Sequence, residues 1–375
     1  MSRICDRATR PPTTDHLPHT SGPPLLSAGG FWVPASMVAT LLVMAGLAGP
    51  VHADIHGRSN PQGALSGKTV VLSPGHGCSG TPGSVSWQRG TTPTTLPAHQ
   101  QVREDIHTNQ CAMELARMLA NAGAVVFSCR ERSYQTEEVI VDNRDAGYAE
   151  TGTWGPQGGE STSHPGHYRT GYRFHGVSVT ETAAARFEAT LPVTGYYPVY
   201  IWYTPSPNRS TAALYRIHHQ GGITEVAVNQ QRYRPVWFFL GEYYFEASRP
   251  AAVELSNRGS DPQKYVVADA VRFGGGVGTT GQPRWREMAK LFTDYAGFKQ
   301  ASGIGDVTVR GYYSSWLAGN PASPSFDWRM LSIHTNAFKG GSRGCSTFSY
   351  SNSRPPAWSL GGTPPGGTRI HTPAL

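Results

Sequence analysis

The chain reads as an α/β protein, an open, twisted, mostly parallel sheet flanked by helices, interrupted by an all-β sandwich. Three observations predict this. A strand–helix–strand order occupies roughly residues 68–128, the pattern of a parallel sheet. From about Thr151 to Gly276, helical periodicity gives way to short β-rich runs separated by turn residues, the signature of an antiparallel sandwich of about 100 residues. Helical periodicity and an apolar strand then return. The sandwich is therefore expected as an insert in one α/β domain split along the chain.

The elements follow in order. Lys68 to Leu72 (KTVVL) is a β-branched apolar run stopped by Ser73-Pro74-Gly75. A Gly/Thr/Pro-rich loop extends to about Gln101. Cys111, Leu115, Met118, Leu119 and Ala122 recur at helical spacing, and Gly123 is a stop signal. Ala124 to Ser128 (AVVFS) is the next strand. The insert contains "ARFEATLP", "YYPVYIWY", "AALYRIHH", "TEVAVNQ", "VWFFLGEYYF", "AAVELSN" and "YVVADAVRF", closed by a Gly/Thr linker from Gly274 to Gly281. Trp285, Met288, Ala289, Leu291 and Phe292 restore helical periodicity, and Met330 to Ile333 forms a last apolar strand. The expected division is 67–150 for the first α/β part, 151–276 for the sandwich and 281–375 for the second α/β part, which is incomplete.

Composition narrows the function. The 375 residues carry a net charge of +7, only 15% charged residues, 44 Gly and 29 Pro, as in a loop-rich globular protein. The basic residues are scattered rather than blocked, which argues against nucleic acid and fits weak attraction to an anionic envelope polymer. Arg3, Arg7 and Arg10 precede an uncharged run from Phe31 to Ala48, and Val51-His52-Ala53 is a small-x-small exit. Residues 1–53 thus read as a secretory signal peptide and 54–66 as a polar linker. Export to the periplasm or the extracellular side of a bacterial envelope follows, with no membrane span expected after processing. Cys78, Cys111, Cys129 and Cys345 would remain. Four cysteines in an exported chain can form two disulfides, in any of three connectivities, and their spacing lacks CxxC character.

Three residues combine into candidate chemistry. His76 lies in "LSPGHGCSG" after the first strand, Glu104 in "REDIHTNQ" at the helix start, and His334 in "LSIHTNAFKG" after the late strand. Sites in open parallel sheets form outside the carboxyl ends of strands. Two imidazoles and a carboxylate with one open position make a catalytic zinc centre. His107, one turn after Glu104, is a competing ligand. His218 and His219 fall on the insert and are expected at its surface or in its core.

The segments "VVLSPGHG", "EDIHTNQCAMELARMLANAGAVVFSCR" and "MLSIHTNA" resemble the zinc-dependent N-acetylmuramoyl-L-alanine amidases of the amidase-3 type. The resemblance implies zinc held by His76, Glu104 and His334, and peptidoglycan as substrate. Asn336, Arg130 and Arg310 become supporting or substrate-facing candidates. That family also uses a glutamate on a late strand. No Asp or Glu follows Asp327 in this sequence, so no catalytic glutamate is assigned, and Asp105 and Asp327 are the nearby carboxylates. Two expectations result: a zinc-dependent amidase cleaving the bond between N-acetylmuramic acid and L-alanine, impaired by the missing glutamate, or a catalytically inactive envelope- or polysaccharide-binding protein. The insert resembles the golvesin C-terminal-like, or xanthan-lyase carbohydrate-binding-like, domain through "GYYPVYIWY", "HHQGGITEVAVNQ", "WFFLGEYYF" and "VVADAVRF". That resemblance implies an accessory sandwich. Tyr200, Trp202, Trp237 and Phe239 would either stack on sugar rings or fill its core.

Overall fold

The computed structural model describes residues 62–92, 97, 102–320, 323–324, 327–335, 346–349 and 368–371. The signal peptide, most of the linker, Asn336 and Cys345 lie outside them. Chain order begins with β1 (Thr69–Pro74), the hairpin β2 (Cys78–Thr81) and β3 (Ser84–Trp87), helix α1 (Glu104–Asn121) and β4 (Val125–Ser128). Next come β5 (Glu138–Asp142), β6 (Tyr148–Thr151), β7 (Arg173–Gly176), β8 (Ala184–Ala189), β9 (Gly195–Trp202) and β10 (Ala213–His219). They are followed by β11 (Gly222–Val228), β12 (Phe238–Phe245), β13 (Ala251–Ser256), β14 (Tyr265–Ala268) and β15 (Ala270–Gly274). Helices α2 (Ala289–Tyr295) and α3 (Asp306–Ala318) then lead to β16 (Trp328–Ile333).

The described residues are mostly β-structure with few helices. Two antiparallel sheets make the sandwich, one ordered β11-β10-β13-β8-β6 and the other β12-β9-β15-β5. Alternating inward residues such as Tyr215, Ile217, Val253, Leu255, Val199 and Ile201 are buried between them. The sandwich starts earlier than the sequence reading placed it. Strand β5 pairs with β15 through Asp142↔Ala270, and β6 pairs with β8 through Thr151↔Ala184. The expected division puts β5 and most of β6 in the α/β part, because four or five residues are too few to reveal a partner more than 30 positions away.

A smaller sheet, ordered β16-β1-β4, is parallel throughout. Leu72, Ala112, Ala116, Ala124 and Val126 pack α1 against one face. On the other, Val71 and Phe127 join the sandwich core, where Phe127 meets the Phe238 ring at 5.9 Å. The helix stripe differs from expectation. Leu115 and Leu119 pack on the sheet, whereas Met118 is 68% exposed and Cys111 is exposed too. The deepest contacts come from Asp105, Thr108, Asn109, Ala112, Met113 and Ala116.

The sandwich is joined to the rest by buried charge. Arg272 of β15 donates to Glu131 at 2.9 Å, and both side chains are fully buried. Its guanidinium lies 3.8 Å from the Tyr200 ring centre and 5.1 Å from that of Tyr295 on α2. Glu138 receives Arg272 at 3.4 Å and Arg284 at 3.2 Å. No helix among the described residues is long and apolar enough to cross a membrane.

Candidate metal centre

The carboxyl edge of the parallel sheet collects all three predicted ligands. Register aligns Ser73 with Ser332 and Pro74 with Ile333, so both strands end together. The Gly75 N–H then donates to the Ile333 carbonyl at 2.8 Å. His76 adopts φ 58° and Gly77 φ 131°, a left-handed turn that lifts the imidazole off the sheet edge. Gly75 is required by proximity, since a Cβ there would lie 2.5 Å from His334 Nδ1.

Helix α1 supplies the carboxylate. Arg103 is extended before it, and Glu104 and Asp105 form an acidic first turn that complements the positive end of the helix dipole. Glu104 Oε1 accepts from His334 Nδ1 at 3.0 Å and from the Thr335 N–H at 3.0 Å. Its Oε2 lies 3.4 Å from His76 Nε2 and 3.8 Å from Arg89 Nε. The two imidazole rings meet edge to face, 5.2 Å apart. One ligand atom from each residue falls within 4.8 Å of the others. Burial pulls the His76 pKa below its ordinary value; Arg89 and His334 push the same way and Glu104 opposes them. The ring therefore keeps a free lone pair at neutral pH.

The donor set is of a kind that could hold a metal ion. Two imidazoles and one carboxylate are the donor types of a three-ligand zinc site with one position open, and one ligand atom from each lies within 4.8 Å of the others. The His76 and Glu104 side chains are 12% and 11% exposed, while His334 is 47% exposed, so the cluster opens to solvent on the His334 side.

A second set of residues holds the first. The Asp105 carboxylate accepts the N–H groups of Gly77 (2.9 Å), Gln88 (3.2 Å) and Arg89 (2.9 Å). Thr108 Oγ1 donates to the Gly75 carbonyl at 2.9 Å. Arg130 is fully buried and donates to the carbonyls of Gly75, Asp105 and Glu287 at 3.0, 2.7 and 2.8 Å. Arg310 donates to the carbonyls of Pro74 and His76 and pairs with Asp306 at 2.7 Å. Both arginines are thus clamps on the His76 loop, each consumed by backbone oxygens rather than turned toward a substrate. Asp105, one of the two nearby carboxylates in the sequence, is occupied by three backbone N–H groups and anchors the His76 loop.

Other candidates fall elsewhere. His107 Nδ1 folds back onto Arg103, 2.9 Å from its N and 2.7 Å from its O, outside the cluster. Asp327 sits before β16, paired with Lys68 at 2.7 Å. Seven residues of extended chain, roughly 23 Å, separate it from His334, so it cannot serve as a base there. Cys78, Cys111 and Cys129 are free thiols, and no disulfide joins any two of them. Burial pushes the Cys78 thiol up and that of Cys129 to about 12, which leaves both inert. On the sandwich, Tyr200, Trp202 and Trp237 are buried together with Ala270, and Phe239 packs on them. The first three are core residues, and the half-buried Phe239 ring lies under the Arg132 guanidinium at 4.0 Å.

Comparison with known proteins bears on the sandwich. Residues 139–275 match the Golvesin C-terminal domain. Xanthan lyase of Bacillus sp. (strain GL1) is 35% identical over 137 residues, which are 36% of this chain and 14% of the lyase. Golvesin of Dictyostelium discoideum is 33% identical over 107 residues, 28% of this chain and 18% of that protein. The chain therefore spans less than a fifth of either relative. Among solved structures, Paenibacillus xanthan lyase aligns at 34% identity with a TM-score of 0.33, covering 36% of this chain and 13% of the other. The CBM35 of Cellvibrio japonicus Abf62 aligns at 15% identity with a TM-score of 0.25, covering 37% and 94%. The inserted sandwich is a xanthan lyase-like β-sandwich that carries the Golvesin C-terminal domain.

Proposed function

We propose that the chain is an exported zinc-dependent hydrolase that cleaves the amide between N-acetylmuramic acid and L-alanine in peptidoglycan, with the sandwich engaging polysaccharide. One observation carries the reading: His76, Glu104 and His334, spread over 258 positions, meet at one sheet edge with one ligand atom from each within 4.8 Å of the others. The amidase-type motifs around the same three residues support it. Bound zinc would supply Lewis acidity toward the scissile carbonyl and a more acidic water.

The chain's own residues have separable tasks. His76 and Glu104 form the buried wall of the cradle, and His334 its solvent side, where substrate enters. Arg89 places a guanidinium beside Glu104, within reach of a carboxylate on a stem peptide. The Asp105 anchor and the Arg130 and Arg310 clamps keep the His76 loop rigid, which limits the reorganisation that metal binding requires.

A second reading is a binding protein without turnover. It draws on the carboxylates. Among the described residues near the site, Asp105 is spent on three N–H groups and Asp306 on Arg310. A positioned general base is worth about 10²–10⁴-fold in rate. The test combines metal analysis of purified full chain with release of stem peptides from insoluble peptidoglycan. Stoichiometric zinc, lost in His76→Ala and His334→Ala, together with peptide release is the expected result. Zinc without release, on protein that cosediments with peptidoglycan, selects the second reading. Folded wild-type protein with no affinity for zinc overturns both the site and the reaction.

A further inference from the structure

We propose that a pocket at the rim of the sandwich, away from the metal cluster, binds a neutral sugar ring. The proposal deepens the polysaccharide reading of the sandwich and rests on it. The pocket lies beside strand β6, between the turn at Arg144 and the loop at Gly158–Glu160, with a volume of about 410 Å³. Sites for small ligands run from roughly 300 to 1,000 Å³.

Its walls are two guanidinium–carboxylate pairs. Arg173 grips Glu150 through Nε at 2.6 Å and Nη2 at 3.0 Å. Arg144 grips Glu160 in the same two-pronged manner. The Tyr148 hydroxyl donates to Glu150 at 2.8 Å. Gly158 and Gly159 form the remaining side, and a Cβ on either would meet nothing within 4 Å. A ligand can therefore approach the backbone closely there.

Charge decides the ligand class. Each carboxylate already faces a guanidinium, so the pocket is electrically balanced. A phosphate would meet a carboxylate beside every guanidinium, and a metal ion a guanidinium beside every carboxylate, so like-charge repulsion offsets either gain. A polyol need not, because carboxylate oxygens keep spare lone pairs and Arg144 leaves Nη1 available as a donor. Alternating acceptors and donors on planar groups match the adjacent hydroxyls of a sugar, each of which both donates and accepts. The walls are also held in advance. Arg173 donates further to the carbonyls of Pro156 at 2.7 Å and Trp154 at 3.2 Å, so little side-chain ordering remains to oppose binding.

The experiment is affinity electrophoresis of the full chain in gels containing neutral β-glucan, neutral mannan or polygalacturonate, run for wild type, Gly159→Phe and Gly176→Phe. The φ of Gly159 is not in the left-handed region, so phenylalanine adds bulk at the pocket rim without backbone strain. Gly176, outside the pocket, has equally open space and serves as the control. Wild type and Gly176→Phe should be retarded by a neutral polymer, with retardation persisting at high salt. Gly159→Phe should bind at least about tenfold more weakly. Glu160→Gln, which unbalances one wall without adding volume, should weaken binding in parallel if Gly159→Phe fails to fold. Undiminished binding by both variants overturns the pocket and leaves the polysaccharide reading standing. Salt-sensitive binding to polygalacturonate alone overturns the neutral-ligand argument. Wild type retarded by no polymer overturns both.

Discussion

Replacing Gly75 by alanine should damage the proposed metal site while sparing the fold. The new Cβ would sit 2.5 Å from His334 Nδ1, 2.6 Å from Cε1 and 3.1 Å from the Ile333 carbonyl oxygen. Ordinary carbon–carbon contact begins near about 3.5 Å, so the imidazole must retreat by roughly 1 Å. It has room to do so, because His334 is the exposed member of the cluster. Gly75 does not occupy the left-handed region, so alanine brings no backbone strain and stability should barely change. Metal affinity should fall about 10–100-fold, the range seen when the orientation of a ligand is disturbed, or about 1.4–2.8 kcal/mol. Competition with a chromophoric zinc chelator measures this, and thermal unfolding without metal checks the fold. Gly90→Ala, with open space at its Cβ, is the control. Wild-type zinc affinity in a folded Gly75→Ala protein would refute the assignment of His334 as a ligand.

Three further predictions follow from the same geometry. Asp105→Asn should turn an amide N–H toward one of three backbone donors and cost about 1–3 kcal/mol; hydrogen exchange at Gly77, Gln88 and Arg89 should accelerate, and unchanged protection there would remove the anchoring role. Arg272→Met should strand the buried Glu131 carboxylate and cost about 3–5 kcal/mol, read from urea unfolding, with a loss under about 1 kcal/mol counting against the network as a structural joint. Burial pushes the Asp142 carboxyl up to about 6, so the folded state holds that proton more tightly than the unfolded chain. Its contribution therefore favours folding below the unfolded value near 3.8, declines as pH rises and is lost above about 6. Asp142→Asn should flatten stability against pH across that window, and an unaltered slope would contradict the burial argument.

The structure also separates what local pattern could reveal from what it could not. The KTVVL and AVVFS runs were legible because a strand buried on both faces is a continuous β-branched stretch. Most sandwich strands were legible through alternation between turns. Strands β5 and β6 were not, because each is short and draws its partner from sequence far downstream. The roles of Arg130 and Arg310 were equally hidden. An arginine near a motif reads as a substrate contact until its guanidinium is found surrounded by carbonyl oxygens from loops 55 and more than 230 residues away. Tyr200, Trp202 and Trp237 show the same limit, since an aromatic run in a strand looks alike whether its rings face solvent or a helix.

By itself the sequence determined the chemical types: two imidazoles and a carboxylate, each placed just past a strand or at a helix start, and an inserted β module between them. Only the tertiary structure decided that these three side chains meet. The parallel register of β16 on β1 brings His334 beside Gly75, and the Asp105 carboxylate ties the helix start to the His76 turn. The physical reason is range. Propensity and periodicity act over a few residues, whereas a metal cradle needs atoms from distant segments set within a few ångströms, and that requires sheet hydrogen bonds and close packing.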